Sequence, residues 1–511
     1  MTPLAAKTVD RASGALLLLL GIGAIWHAQT LSVPFASDPI GPKAFPTIAG
    51  AVLALAGASI LLRPEAIDVE AGHRMRVASV AIASLVYPFL LLPLDQPGIA
   101  GPAPVVSALR PPPVAASTGE AIGITGSAGK TTTKDLLAAL LATQGPTVAP
   151  VGSYNGEVGV PLTVFRAELD TRFLVVEMGA DHVGNIAYLC DIVRPDIGVV
   201  LMVGTAHAGS FGGVANIART KGELVEALGP DGVAVLNLDD ERVAGMAART
   251  AAPITWFTAD ERGVARAAED VAAGRASGLV AARDVRADDQ ERPVFDLQVG
   301  TDEAAVRHPV ASGLTGLHHV HNVLAAAAAA HAAGMDPAEI ARGLDGLGPA
   351  SRFRMERTDR ADGVTIINDA YNANPESMRA ALRTLATLGR SSGRRTWAVL
   401  GEMLELGDAR VREHTLVGES VVRLNIAQLL VVGAGARPLY IGALNEGSWG
   451  EEAHFVDDAA QAEAFLAEHL RPGDLVLVKS SNGVGLAALG ERLATADAVA
   501  APSASPKESR P

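Results

Sequence analysis

The run EAIGITGSAGKTTTKDLLAALLA, residues 120–142, decides how the rest of the chain is read. A short β-prone stretch leads into a Gly-rich turn, and an Ala/Leu-rich helix opens at Lys130-Thr131. Each part has a physical use. Gly126 and Gly129 let backbone N–H groups approach phosphate oxygens, with Ser127 and Ala128 between them. The helix N-terminus adds its dipole, Lys130 spans the outer phosphates, and the Thr131 hydroxyl can ligate a hard cation, with Thr132 beside it. The match to G-x-x-x-x-G-K-[ST] is not literal, because Ile124 stands where the first glycine belongs. The shorter form G-x-x-G-K-T is present. An ordinary Gly-rich turn is the rival reading, and the placement between strand and helix decides against it.

Outward from this loop the chain changes character. At 511 residues it is too long for one core, so two to four domains are expected. Its net charge of −14 argues against a sequence-independent nucleic-acid binder, which needs a basic face. The single cysteine, Cys190, excludes an internal disulfide framework and a cysteine-built zinc site, and reads as a small core residue. The positive mean hydropathy comes largely from the first hundred residues or so. Apolar stretches lie at about 15–26, 45–62 and 77–94, and the last two approach the roughly 20 residues that cross a bilayer. A cleavable signal peptide and buried soluble helices are the rivals to membrane insertion. The segments DRASGALLLLLGIGAIW (10–26) and DPIGPKAFPTIAGAVLALAGASILL (38–62) resemble the small membrane subunit of the tripartite tricarboxylate transporters, which implies an α-helical membrane segment over 1–97. Residues 98–119, with Pro111 to Pro113, read as an extended linker, and 496–511 as a disordered tail.

Between linker and tail, β-rich runs such as RFLVVEM, DIGVVLM and GVAVLN alternate with helical stretches, which predicts βαβ units around a mostly parallel sheet. Around 280–310, VFDLQV and AAVRHPV predict a small antiparallel patch. A second α/β set follows, with TWAVLG, AQLLVVG and DLVLVKS, and a Gly-rich change of rhythm near 343–363 marks the boundary. The expectation is a P-loop α/β domain over 120–345 and a Rossmann-like α/β domain over 346–495.

The variant loop, NGEVGVPLT (155–163), the run VVEMGADHVGNIAYLCDIVRPDIGVVLMVGTAHAGSFGG (175–213) and NDAYNANPESM (368–378) together resemble the Mur ligases, and within them the branch that adds D-alanyl-D-alanine. The resemblance implies an ATP-dependent acid–amino-acid ligase acting through an acyl phosphate on a nucleotide-linked muramyl peptide. It also implies Mg²⁺, in two sites, with Thr131, Glu177, His207 and Lys221 as ligands, Lys221 being carbamylated, and with Lys130, Lys221 and His207 as the catalytic set. Asn322, Arg352 and Asp369 fall on nucleotide-contacting positions beside Gly126 to Thr132. Asn155, Asn372, Asn374, Glu402, His414, Lys479 and Ser481 are weaker substrate-binding candidates. His319 and Asn185 depart from the usual Asn and Glu. The family also begins with a uridine-nucleotide-binding domain, whereas here transporter-like sequence precedes the loop. Another amide ligase of the Mur and folylpolyglutamate superfamily, or a transporter-subunit fusion with an inactive ligase part, are the rival readings. The ligase part is expected in the cytoplasm, with the chain anchored in the inner membrane. Lys7, Arg11, Arg63, Arg74 and Arg76 conflict with that, since three spans would place the ligase outside.

Overall fold

The computed structural model describes residues 119–204, 211, 213–301, 306–447 and 451–496, with scattered positions between 14 and 58. The chain divides into two units, Met1–Pro111 and Pro112–Pro511. In the first unit the described positions, within 14–26 and 47–58, are helical. Among the described residues no helix is long and apolar enough to cross a membrane. The expected membrane segment, and the inner-membrane anchoring inferred from it, therefore find no support there. The third apolar stretch, nearly all of the Pro linker, and the tail beyond 496 lie outside the described residues.

The second unit holds two sheets. In the first, β1 (Glu120–Thr125), β2 (Thr147–Val148), β3 (Phe173–Glu177), β4 (Ile197–Val200), β5 (Val233–Asn237), β6 (Ile254–Thr258), β7 (Gly278–Ala287), β8 (Pro293–Val299) and β9 (Arg307–Ala311) are ordered β2-β3-β1-β4-β5-β6-β7-β8-β9. Strands β2 to β7 pair in parallel, and β7-β8-β9 form the expected antiparallel patch. Strands β3 and β4 are buried along their whole length, as a parallel sheet covered on both faces requires. The order reverses at β1, so its C-terminal end opens onto a topological switch point, where α/β sheets bind ligands.

The helix α1 (Lys130–Ala142) follows β1, and α2 (Gly159–Val164), α3 (Asn185–Val193), α4 (Val214–Glu226), α5 (Glu241–Ala244) and α6 (Glu261–Ala272) connect the next strands. Helix α7 (Val320–Ala332) carries the alanine run, and Ala325 to Ala330 are all fully buried. Their short side chains let α7 press against α1 and the face of β5 to β7. The run is a packing device, not low-complexity filler. Helix α8 (Pro337–Leu344) starts with Asp336 capping two backbone N–H groups and Pro337 at its first position.

The second sheet has the order β10-β11-β15-β12-β13-β14, from β10 (Glu356–Asp359), β11 (Thr365–Asn368), β12 (Thr396–Leu400), β13 (Gln428–Val432), β14 (Ala453–Val456) and β15 (Leu475–Lys479). Only β10 is antiparallel. The last strand inserts between β11 and β12, which places Lys479 at the centre of this sheet's C-terminal edge. Helices α9 (Pro375–Ser392), α10 (Arg410–Arg423), α11 (Arg437–Glu446), α12 (Ala459–His469) and α13 (Leu486–Thr495) cover it.

Because α7 has no room for a larger side chain, Ala327→Leu should lower unfolding free energy by about 1–3 kcal/mol through overpacking. Urea denaturation followed by circular dichroism measures it, and unchanged stability would contradict the close packing.

Candidate active site

The loop after β1 is built from short-range constraints. Thr125 Oγ1 donates to the Met178 carbonyl at 2.9 Å, joining the ends of β1 and β3. The Ser127 N–H donates to the Met202 carbonyl at 2.9 Å, joining the loop to the segment after β4. Gly126 passes so close to Leu201 that a Cβ would lie 2.9 Å from that residue's Cβ. Gly129 sits at φ 84°, in the left-handed region, and a Cβ on it would stand 2.2 Å from Asn322 Oδ1. Lys130 Nζ curls back to the Gly126 carbonyl at 3.0 Å. Burial pushes its ammonium below the usual lysine range, Glu177 opposes that, and Arg354 adds to it. The Ser127 hydroxyl is buried with no protein partner.

Facing the loop is one carboxylate held by three donors. Glu177, at the end of β3, accepts from Thr131 Oγ1 at 2.8 Å on Oε2, and from Ser153 Oγ at 2.9 Å and Asn155 Nδ2 at 2.7 Å on Oε1. Asn155 thus orients Glu177, and Ser153, which sequence reading passed over, shares that work. A Ser two places before the family-matching Asn was the available signal.

Lys221 lies buried on α4, and burial first, then the nearby Lys130 charge, drive its amine well below the ordinary range. His207 lies outside the described residues. Among the described residues no three His, Cys, Asp or Glu side chains cluster as a ready-made metal cage. Asn185 donates to Glu157 at 2.9 Å, and Glu223 of α4 accepts from the N–H groups of Gly184 and Ala187, capping α3 from a neighbouring helix.

At the start of α7, Asn322 touches Gly129 with its Oδ1, and its Nδ2 meets His319 Nδ1 at 3.0 Å. The His318 ring lies tilted at 4.1 Å from that of His319, whose basicity is lowered by burial first and then by the neighbouring His318 and Arg354. His319 Nε2 has no protein partner.

The second sheet sends its C-terminal edge toward the same loop. Asn374 caps α9 in a reciprocal box with Ser377, and its Nδ2 reaches the Ser127 carbonyl at 3.4 Å. Asp369 accepts from Lys479 Nζ at 2.6 Å and from the Met355 N–H at 3.0 Å, while the Asn372 carbonyl accepts from Lys479 at 2.9 Å. Ser481 Oγ bridges the Leu404 N–H and the Ala373 carbonyl. Glu402 pairs with Arg410 at 3.0 Å. Both ring nitrogens of His414 are taken by backbone, Met403 N–H at 2.9 Å and the Arg410 carbonyl at 2.7 Å, so it braces the loop after β12 and offers no free nitrogen.

Arg352 does not point at the phosphate loop. Its side chain is 63% exposed and pairs with Glu491 at 2.5 Å. Arg354, two residues on, takes that place: it lies over the Tyr371 ring at 4.3 Å and lines a small cavity with Thr132 and Asp135 of α1. Its Nε is buried without a partner. SRFRM offers two arginines, and the sequence has no signal that chooses between them.

A Gly-rich loop at a switch point, a hydroxyl and carboxylate for a hard cation, and converging cationic side chains define a nucleotide-binding α/β protein with a second α/β layer closing over the phosphate end. The Mur ligase middle domain matches residues 124–330, and the Mur ligase glutamate ligase domain matches 353–482. A relative from Mycobacterium tuberculosis strain H37Rv, UDP-N-acetylmuramoyl-tripeptide–D-alanyl-D-alanine ligase, is 46% identical over 391 residues, 74% of this chain and 73% of that protein. The Bacillus subtilis protein of the same name is 31% identical over 71% of this chain and 74% of its own length. A crystal structure of MurF from Acinetobacter baumannii superposes with a TM-score of 0.65 at 28% identity, covering 82% of this chain and 88% of that one. The chain belongs to the Mur ligase family.

Gly129→Ala should weaken nucleotide binding at least about tenfold, since a methyl group displaces Asn322 and adds left-handed strain of roughly 1–2 kcal/mol. Gly274→Ala, at φ 70° with open space around it, should cost stability alone. Calorimetric titration with ADP distinguishes them, and equal affinities would contradict the role given to Gly129.

Proposed function

We propose that the chain joins D-alanyl-D-alanine to a UDP-N-acetylmuramoyl-tripeptide at the expense of ATP, in the synthesis of peptidoglycan precursor. The relatives' shared name supports the substrates, and the observation that carries the chemistry is the Thr131–Glu177 pair at the mouth of the Gly126–Thr131 loop. A carboxylate is a poor electrophile in water, so it must be activated first. An oxygen of the tripeptide's terminal carboxylate attacks the γ-phosphorus, ADP leaves, and an acyl phosphate remains. The dipeptide amine then attacks the acyl carbon, phosphate leaves with the carboxylate's oxygen, and the amine loses a proton.

The protein's part is positioning and charge neutralisation. Backbone N–H groups of Ala128 to Lys130 and the Lys130 ammonium hold the phosphates, and Arg354 places a second cation beside Lys130. Ser153 and Asn155 keep Glu177 pointed at Thr131. The oxygen donors Thr131 and Glu177 suit Mg²⁺, to which His207 would add a nitrogen donor, and a carbamylated Lys221 would hold a second ion. Bound there, Mg²⁺ would neutralise charge on the β- and γ-phosphates. Burial lowers the proton affinity of the Lys221 amine, which favours the neutral form that adds CO₂ with loss of one proton. Residues 120–345 hold the nucleotide, and 346–495 bring the amine and exclude water from the acyl phosphate. A reaction fed by ATP and a nucleotide-linked precursor belongs in the cytoplasm.

With Mg²⁺-ATP, D-alanyl-D-alanine and the nucleotide tripeptide, phosphate release should match pentapeptide formation one to one. Lys130→Ala should lower both by at least about 100-fold, the usual size of a lost charge-stabilising donor. Turnover unaffected by that substitution would rule the proposal out.

A further inference from the structure

The Lys479 ammonium is 2% exposed at the end of the central strand β15. A lysine has three N–H donors. Here they meet Asp369 Oδ2 at 2.6 Å, the Asn372 carbonyl at 2.9 Å and the Asp369 carbonyl at 3.3 Å. None is left for an incoming substrate. The other oxygen of Asp369 accepts from the Met355 N–H at 3.0 Å. That bond matters because the backbone around Arg354 is unfavourable: Phe353 stands at φ 61° and Met355 at φ 51°, both left-handed and neither a glycine. Such a segment persists only where its surroundings over-determine it. Three contacts do so. The Phe353 N–H donates to Glu356, the Phe353 carbonyl accepts from Tyr371, and the Met355 N–H is held by Asp369. The loop pinned by Lys479 continues to Asn374, whose amide reaches the Ser127 carbonyl in the phosphate loop.

We infer that Lys479 is a positioning residue for the ligase reaction: through Asp369 it fixes the strained turn that presents Arg354, and the loop that carries Asn374, to the phosphate site. The assignment removes Lys479 from any direct contact with the incoming amine, and it rests on the function proposed above. The group acts through a carboxylate, so the consequence of losing it is specific. Lys479→Met leaves the half-buried Asp369 carboxylate without its counter-ion and lets the turn relax. Asp369→Asn combined with Lys479→Met removes the stranded charge while keeping an acceptor for the Met355 N–H.

The test compares wild type, Lys479→Met and the double variant, each with thermal melting, steady-state kinetics and ADP titration. The single variant should raise KM for ATP about tenfold and lower kcat, with KM for D-alanyl-D-alanine within about twofold of wild type. The double variant should bind ADP more tightly than Lys479→Met, a non-additivity that independent sites do not show. A rise confined to KM for the dipeptide would overturn the inference in favour of direct amine contact. So would a double variant as weak for ADP as the single one. If Lys479→Met does not fold, the double variant, which strands no charge, supplies the ADP reading by itself. Wild-type protein that releases no phosphate with these substrates would refute the function proposed above, while the ADP titrations would still judge the positioning role.

Discussion

The contact between Gly129 and Asn322 sets the geometry on which the rest depends. The backbone must turn left-handed at the last residue before α1 so that the helix N-terminus and the loop amides converge on one point. The side chain of Asn322 fills the space a Cβ would need. For that contact to form, the start of α7 has to come within reach of the loop. The buried alanines at 325 to 330 allow it, since each larger side chain would push α7 off α1 and the sheet. Phosphate-site geometry and core packing are thus one constraint seen at two ends of the same helix.

Charge tells a parallel story. The chain as a whole carries −14, yet Lys130, Lys221 and Arg354 gather around the loop with Glu177 as the carboxylate among them. Buried cations without matching anions are costly, and the lowered proton affinities of both lysine amines are the physical expression of that cost. A polyphosphate with its cation removes the mismatch. The site is therefore disposed to bind what it is proposed to use.

Much of this was legible in the residues. The loop, the parallel sheet with its antiparallel patch, and the second α/β layer follow from local patterns: Gly spacing, β-branched runs and Ala/Leu helices. What escaped reading was non-local or conformational. Arg352 and Arg354 are chemically identical, and only two left-handed residues in a short turn decide which faces the loop. Lys479 looks like a strand-end lysine free to meet a substrate until β15 is seen to insert between β11 and β12, against Asp369. His414 likewise reads as a candidate ligand, and its two backbone partners lie four and eleven residues away on a folded loop. No spacing rule announces such pairings.

The central claim is that phosphate travels from ATP to an acid before an amine displaces it, and the oxygen atoms record that path. Tripeptide labelled with ¹⁸O in its terminal carboxylate, turned over once with unlabelled ATP, should yield inorganic phosphate carrying one ¹⁸O by mass spectrometry. Phosphate free of label, formed alongside pentapeptide, would contradict the account.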